Sequence, residues 1–449
     1  MATSVRRLPH LALVPLLAGT TVAAAAAVPP TAADDASGPA ASGPAPTEHA
    51  PEPWWIRDRL AGDWGGVRSD LEDAGVTVDA TFLGEWTAVV DGGVDEDDSF
   101  RRLITVDLAL DLGVLAGLEG GTFFARYLSI NPERGGSRDA GDIQVASNIE
   151  SAAHLDTVYE AWFEQRLLGD RVRLKIGKLD ANAEFAFVDA AGEFASSSAG
   201  VSPTIVGKPT YPDSAFSVNA FARVLETDRT SLTLGYGLYD GAAGADGIPT
   251  GRRGPSTFLD DDRSDDWFHV AQADLAWDRL GAEGGRWWRE GRIGVGVWHH
   301  TGTFDRFDGG TEDGTTGFYL VAEQRVTAAA APAAGRPDDG RGLFAFAQYG
   351  WADDAVSELG QHVGGGLVLR GTFAGRDEDS AGVYVSWVDL SDEPGAGFAG
   401  DETAIDASYR IRLTPAIHVQ PELQLILDPS GDPAIPDATV LGLRVEVAF

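Results

Sequence analysis

The sequence predicts an all-β fold, a transmembrane antiparallel β-barrel of about sixteen strands preceded by a short N-terminal helical segment. Three observations predict it. Segments of apolar/polar alternation recur along the chain at lengths that cross a bilayer at a tilt. The polar face of many segments carries charge, which a packed soluble core would not tolerate because buried unpaired charge is costly. The connections alternate long and short, as the two rims of an outer-membrane barrel do.

The elements follow in chain order. Arg6 and Arg7 precede the apolar, alanine-rich run LPHLALVPLLAGTTVAAAAA, so residues 1–27 read as an export signal cleaved near Ala27. Residues 28–53 are Pro, Ala, Ser and Gly with a few acids, a flexible spacer without a core. Residues 54–74 form a periplasmic segment with a short helix, and 75–449 form the barrel. After the signal there is no run of about 18 apolar residues, so no membrane helix is expected; barrel strands escape that criterion. The chain has 34 basic and 69 acidic side chains, a net charge of −35, and losing Arg6 and Arg7 takes it to −37. Nucleic-acid binders need a basic footprint, so nucleic acid is excluded as a partner. No cysteine is present, so an exported chain forgoes disulfides.

The alternating segments begin with 75–90, 101–112, 121–131, 154–166, 171–178, 215–226, 230–240 and 266–278. They continue with 290–302, 316–327, 341–352, 362–373, 380–390, 403–414, 416–427 and 438–449. Their faces fit lipid on one side and water on the other. Val106, Leu108, Leu110 and Leu112 oppose Thr105, Asp107 and Asp111. Tyr159, Ala161 and Phe163 oppose Glu160, Trp162 and Glu164. Ala407, Tyr409, Ile411 and Leu413 oppose Asp406, Ser408, Arg410 and Arg412. Ile417, Val419, Leu423 and Leu425 oppose His418, Gln420, Glu422 and Gln424. With the first strand running outward, 91–100, 132–153, 179–215 and 241–265 are outward loops, while 167–170, 227–229 and the Pro415 turn are tight inner ones. The inner turns 279–289 and 328–340 are longer than this pattern prefers. The final run, ATVLGLRVEVAF, places Leu441, Leu443, Val445, Val447 and Phe449 on one face and brings Phe449 to an aromatic girdle at the periplasmic rim. Sixteen strands leave an aqueous channel rather than a filled interior. The pattern therefore implies an outer-membrane diffusion pore and reaches no substrate.

Particular blocks add a resemblance over nearly all of the mature chain. LAGDWGGVRSDLEDAGV, Leu60 to Val76, precedes the first strand, with Gly75 as the helix stop. YEAWFEQRL, LKIGKLDANAEF, GVSPTIVGKPTYP and LTLGYGLYDG follow in order, then FAQYGW, HVGGGLVLRG and ETAIDASYRIRLTPAIHVQPELQLILDP. In these blocks the chain resembles the carbohydrate-selective porins of the OprB type. The resemblance implies a sixteen-stranded outer-membrane channel passing monosaccharides, glucose above all, by facilitated diffusion. It also implies a constriction loop folded into the lumen, for which 179–215 is the candidate.

A neutral sugar offers hydroxyls that donate and accept, and weakly apolar ring faces. A selective lumen pairs charged groups with an aromatic platform and binds weakly enough to release. The candidates are Arg126, Glu160, Trp162, Glu164, Lys175, Lys178, Asp180 and Asn182, each of which has a plain alternative as a solvated wall charge. Strict alternation sets Lys178 opposite Lys175, so its inclusion assumes a bulge or the start of the loop. Arg370, Arg410, Arg412 and His418 read as wall. The acidic runs DGGVDEDDSF and FLDDDRSDDW read as solvated outward loops; neither has the spacing of a calcium-binding EF-hand loop.

Neither a cofactor nor a metal is expected. Expected partners are small neutral sugars, outer-membrane lipid and lipopolysaccharide, and, as such a barrel allows, further copies of the chain in a homo-oligomer. Three alternatives stand beside this reading. One is a general or acidic-solute porin without sugar selectivity. An outer-membrane barrel enzyme such as a lipid hydrolase is opposed by the lack of a G-x-S-x-G elbow and of H-E-x-x-H, and by His299 and His300 pointing to opposite faces. A secreted soluble sugar-binding β-protein would have to explain sixteen segments without a two-sheet core.

Overall fold

The computed structural model describes residues 53–131, 133, 135–151, 154–241, 253–258, 266–278, 289–328, 340–371 and 375–449. The expected signal peptide, the expected spacer up to residue 52, most of the 241–265 loop and nearly all of the 279–289 and 328–340 turns lie outside the described residues. The strands are β1 (Val76–Asp91), β2 (Asp98–Asp111), β3 (Gly121–Ile130), β4 (Leu155–Leu167), β5 (Val172–Leu179), β6 (Ala215–Glu226), β7 (Thr230–Asp240) and β8 (Trp267–Trp277). They continue as β9 (Gly291–Asp305), β10 (Thr311–Ala328), β11 (Gly342–Ala352), β12 (Leu359–Arg370), β13 (Ser380–Leu390), β14 (Glu402–Thr414), β15 (Ile417–Leu427) and β16 (Ala438–Ala448). Each pairs with its chain neighbours, and β16 pairs antiparallel with β1, so the sheet closes. Closure leaves no edge with unpaired amides, which is what lets strands cross a bilayer.

Alternation divides the side chains as the sequence predicts. Val158, Val295, Val297, Leu367, Val383 and Val385 stand half-exposed on the outer face. Gln272, Gln348, Asp406, Glu422 and Gln424 are buried inside. Two local departures have physical causes. The Asp111 carboxylate accepts from the amides of Gly113 and Val114 and caps α1 (Leu112–Ala116), so Leu112 leaves the strand. In β4 the register shifts where Arg126 and Tyr127 face Glu160 and Val158, which leaves Tyr159 as the extra residue of a bulge. Tyr159, expected outward with Ala161 and Phe163, is instead buried inside, its hydroxyl donating to Asp180 Oδ2 at 2.7 Å.

The segment before β1 runs along the closure seam. The short helix Val67–Asp73 ends where Gly75 takes φ +84°, as a helix stop requires. The Leu60 amide donates to Ala448 O at 2.8 Å, and the buried Arg68 guanidinium donates to Gly62 O at 2.8 Å and Phe449 O at 3.1 Å. The Phe449 amide in turn donates to Ala80 O at 2.8 Å, so the last residue is held at the β1 side of the seam.

Residues 180–214 fold into the lumen. Phe185, Phe194, Val201 and Ile205 pack with the inward Tyr239, Phe268, Trp298, Tyr319, Phe346 and Tyr384 in one buried apolar cluster. Backbone inside a barrel needs partners, and wall side chains supply them. The amides of Ala186, Ala190, Ala195 and Ser196 donate to Gln272 (2.9 Å), Glu323 (2.9 Å), Glu422 (3.2 Å) and Asp406 (3.3 Å). The β3–β4 connection, expected only as an outward loop, turns inward too. Its Ala140 and Ala146 pack with Val89, Ile426 and Val440, and its Ile143 and Gln144 amides donate to Glu402 at 2.9 and 3.1 Å. The two segments meet where the Asn148 amide donates to Ala195 O at 2.6 Å and the Ser197 amide to Val145 O at 3.0 Å.

Candidate functional site

On the β3–β5 wall, below the root of the 180–214 segment, period-two spacing puts Phe124 and Arg126 on one inward face of β3, and Glu160, Trp162 and Glu164 on that of β4. The Phe124 and Trp162 rings stack with centroids 5.0 Å apart and planes 27° from parallel. Lys175 Nζ, from β5, sits 3.6 Å from the Trp162 centroid, a cation–π distance. Arg126 forms a two-pronged pair with Asp107, Nε to Oδ1 at 2.7 Å and Nη2 to Oδ2 at 2.6 Å, and its Nη1 lies 3.7 Å from Glu160. The half-buried rings and the Arg126–Asp107 pair line the lumen, with Ala183 exposed and Phe187 half-buried on the in-folded segment.

Behind this face lies a braced ionic layer. Lys175 pairs with Glu184 at 2.5 Å and lies 3.9 Å from Glu164, while Arg173 bonds Glu184 at 2.7 Å and Glu164 at 3.1 Å. Burial alone would raise the Glu184 carboxyl, but the Lys175 ammonium and the Arg173 guanidinium outweigh it and hold it at about 2. Asp180 Oδ1 accepts from the Asn182 amide at 2.7 Å, and Asn182 Oδ1 accepts from Lys208 Nζ. Burial pulls the Lys208 ammonium down to about 7, with the Asp180 carboxylate opposing it.

Of the eight residues singled out in the sequence, Arg126, Glu160, Trp162, Glu164 and Lys175 come together on one wall. Asp180 and Asn182 are buried at the root of the in-folded segment, where they brace it rather than meet water. Lys178 is a correction. The β4–β5 register runs without a shift from Lys178 to Val172, so no bulge turns its side chain inward, and its Nζ donates to Val158 O at 3.1 Å on the outer face. Sequence reasoning missed Phe124, Arg173 and Glu184. Phe124 and Arg173 each stand two residues before a chosen residue, Arg126 and Lys175, and so share its face; Glu184 had no such signal. Arg370, read as wall, reaches the in-folded segment, its Nε donating to Glu193 at 3.3 Å.

A family model described as carbohydrate-selective porin, OprB family, matches residues 101–449. Porin B of Pseudomonas aeruginosa is 23% identical over 448 residues, covering 87% of this chain and 91% of its own length. The putative porin QuiX of Acinetobacter baylyi is 23% identical over 437 residues, covering 88% and 94%. Among solved structures, the high-pH structure of Pseudomonas putida OprB matches with a TM-score of 0.73 at 19% identity, covering 88% of this chain and 99% of that one. The low-pH structure of the same protein matches at 0.55. With a family match over most of its length and a closed sixteen-stranded barrel, the chain belongs to the OprB family of carbohydrate-selective porins and is an outer-membrane β-barrel protein.

Proposed function

We propose that the chain passes small neutral sugars, monosaccharides such as glucose first, by passive diffusion through the constriction between the in-folded segment and the β3–β5 wall. The observation that carries this reading is the Phe124–Trp162 stack with Lys175 over the indole, set beside the Arg126–Asp107 pair. A sugar lays its apolar face on the rings and exchanges hydroxyl hydrogen bonds with the guanidinium and carboxylate. Because Arg126, Lys175 and Arg173 are each paired with carboxylates, the site offers little net charge to a permeant ion. Among the described residues nothing encloses the ligand, so release is fast, as conduction demands. Asp180 and Asn182 serve by holding the segment's root. Export by residues 1–27, the 28–53 spacer, the lipid and lipopolysaccharide surroundings and homo-oligomer formation belong to the same reading, as does passive transport without an enzymatic step.

Single-channel conductance of the purified protein in a planar bilayer, titrated with glucose and then succinate, tests it. Millimolar glucose closing the current with succinate inert is the expected result. Current steps unaffected by sugars would reduce the cargo to small solutes generally, and block by succinate alone would favour acidic solutes.

A further inference from the structure

We infer that Arg292 is a positioning residue for the constriction: it fixes the in-folded segment from the β8–β10 side of the lumen and so sets the width of the opening. The inference deepens the reading of that opening as a sugar passage and rests on it. One bank of the constriction is the β3–β5 wall, which the strand ladder holds. The other is the in-folded segment, which belongs to no ladder, so its place is set by the side chains that grip it. On one side Lys175 and Arg173 of β5 grip Glu184. Three residues further on, Arg292 of β9 grips Phe187, with β6, β7 and β8 between the two walls. The Arg292 guanidinium lies 4.0 Å from the Phe187 ring centroid, and its Nη2 donates to Phe187 O.

Arg292 is itself held by the wall. It shares the inward face of β9 with the buried Trp298 and stands directly across the ladder from Glu323. Its Nε donates to Glu323 Oε1 at 2.8 Å and its Nη1 to Asp274 Oδ1 at 3.2 Å. Both carboxylates also reach the same stretch of the segment. Glu323 Oε2 accepts from the Ala190 amide at 2.9 Å. Asp274 Oδ2 accepts from Gln272 Nε2 at 2.6 Å, and Gln272 Oε1 accepts from the Ala186 amide at 2.9 Å. One connected network therefore holds Ala186, Phe187 and Ala190, with Arg292 at its centre. The β9 backbone leaves room for it, since a Cβ at Gly294 would come within 2.7 Å of Asp274 Oδ1. A guanidinium suits the place because its three nitrogens point in fixed directions in one plane, here toward two carboxylates and a carbonyl, while its face rests on a ring. Lysine keeps the charge but brings one nitrogen in place of three.

The test measures single channels in a planar bilayer in two ways: glucose block, and the size cut-off for neutral polyethylene glycols of graded length. Circular dichroism checks that each variant keeps its barrel. Arg292→Met admits polymers that the wild type excludes and raises the glucose concentration for half-block about fivefold. Arg292→Lys shifts the cut-off in the same direction, which separates the three-way grip from the charge alone. Phe187→Ala reproduces the shift, and the double variant Arg292→Met with Phe187→Ala goes no further than either single one, because the two residues act through one contact. A wild-type cut-off in folded Arg292→Met overturns the inference. So does full rescue by Arg292→Lys, or a double variant whose effects add. The polymer cut-off needs no sugar site. If glucose fails to block the wild-type channel, the sugar reading falls while the cut-off still decides the role of Arg292.

Discussion

Trp162 shows why residue type and neighbours must be read together. Its indole stacks on Phe124 and carries Lys175 over its face, so the ring is fixed in place before any ligand arrives. Trp162→Ala is expected to raise the glucose concentration for half-block about tenfold while changing open-channel conductance far less, since the ionic layer behind it is untouched; a titration of sugar block in both channels checks this. Glu184 acts one layer deeper. Its ordinary value is 4.5 and its folded value about 2. A lowered carboxyl contributes stability that is whole above 4.5 and is lost as pH falls through about 2. Glu184→Gln leaves Lys175 and Arg173 short of a buried partner and is expected to cost about 3 kcal/mol at pH 7. Thermal unfolding from pH 8 to 2 should show the wild type and variant separated by a constant interval above 4.5, converging below it.

At the scale of elements, the in-folded 180–214 segment is held by an apolar cluster and by hydrogen bonds from its amides to wall side chains. Phe194 is central to the first, its ring 5.9 Å from that of Phe346 and 5.7 Å from that of Tyr384. Removing a buried phenylalanine costs about 3–5 kcal/mol, enough to loosen a segment that no strand pairing supports. Phe194→Ala is expected to give larger and noisier unit currents and to lose glucose block, with the barrel intact by circular dichroism. Strands behave otherwise. Each shares a ladder with two neighbours, so the Tyr159 bulge is absorbed locally and the pairing of β4 resumes on both sides of it.

For the whole molecule, two media act on one sheet. The outer face meets hydrocarbon, and Val385, mid-strand on β13 and half-exposed, stands in it. Val385→Arg is expected to destabilise the barrel by about 2–4 kcal/mol, as a charge near the bilayer midplane does; equilibrium unfolding from lipid vesicles measures it. Inward arginines such as Arg101 escape that cost. Arg101 is buried, yet it pairs with Glu85 at 2.8 Å and lies 3.5 Å from Glu150 of the inward β3–β4 segment. Charge is thus tolerated on the inner face, where partners and water are at hand.

The sequence by itself determined the barrel, its strand number and most of its faces, because alternation with period two is local and each strand states its own two environments. It also placed Arg126, Glu160, Trp162, Glu164 and Lys175 on inward positions for the same reason. Only the tertiary structure decided what depends on residues far apart. Tyr159 turned inward because a ladder can hold one extra residue, a choice invisible to periodicity. Lys178 stayed outward because no such extra residue occurs in β5. The β3–β4 connection went inside because Ala140, Ala146 and the amides of Ile143 and Gln144 find partners on β1 and, hundreds of residues away, on β14, β15 and β16. A loop has no period to read; where it lies is set by the apolar surface and hydrogen-bond acceptors that the rest of the chain offers it.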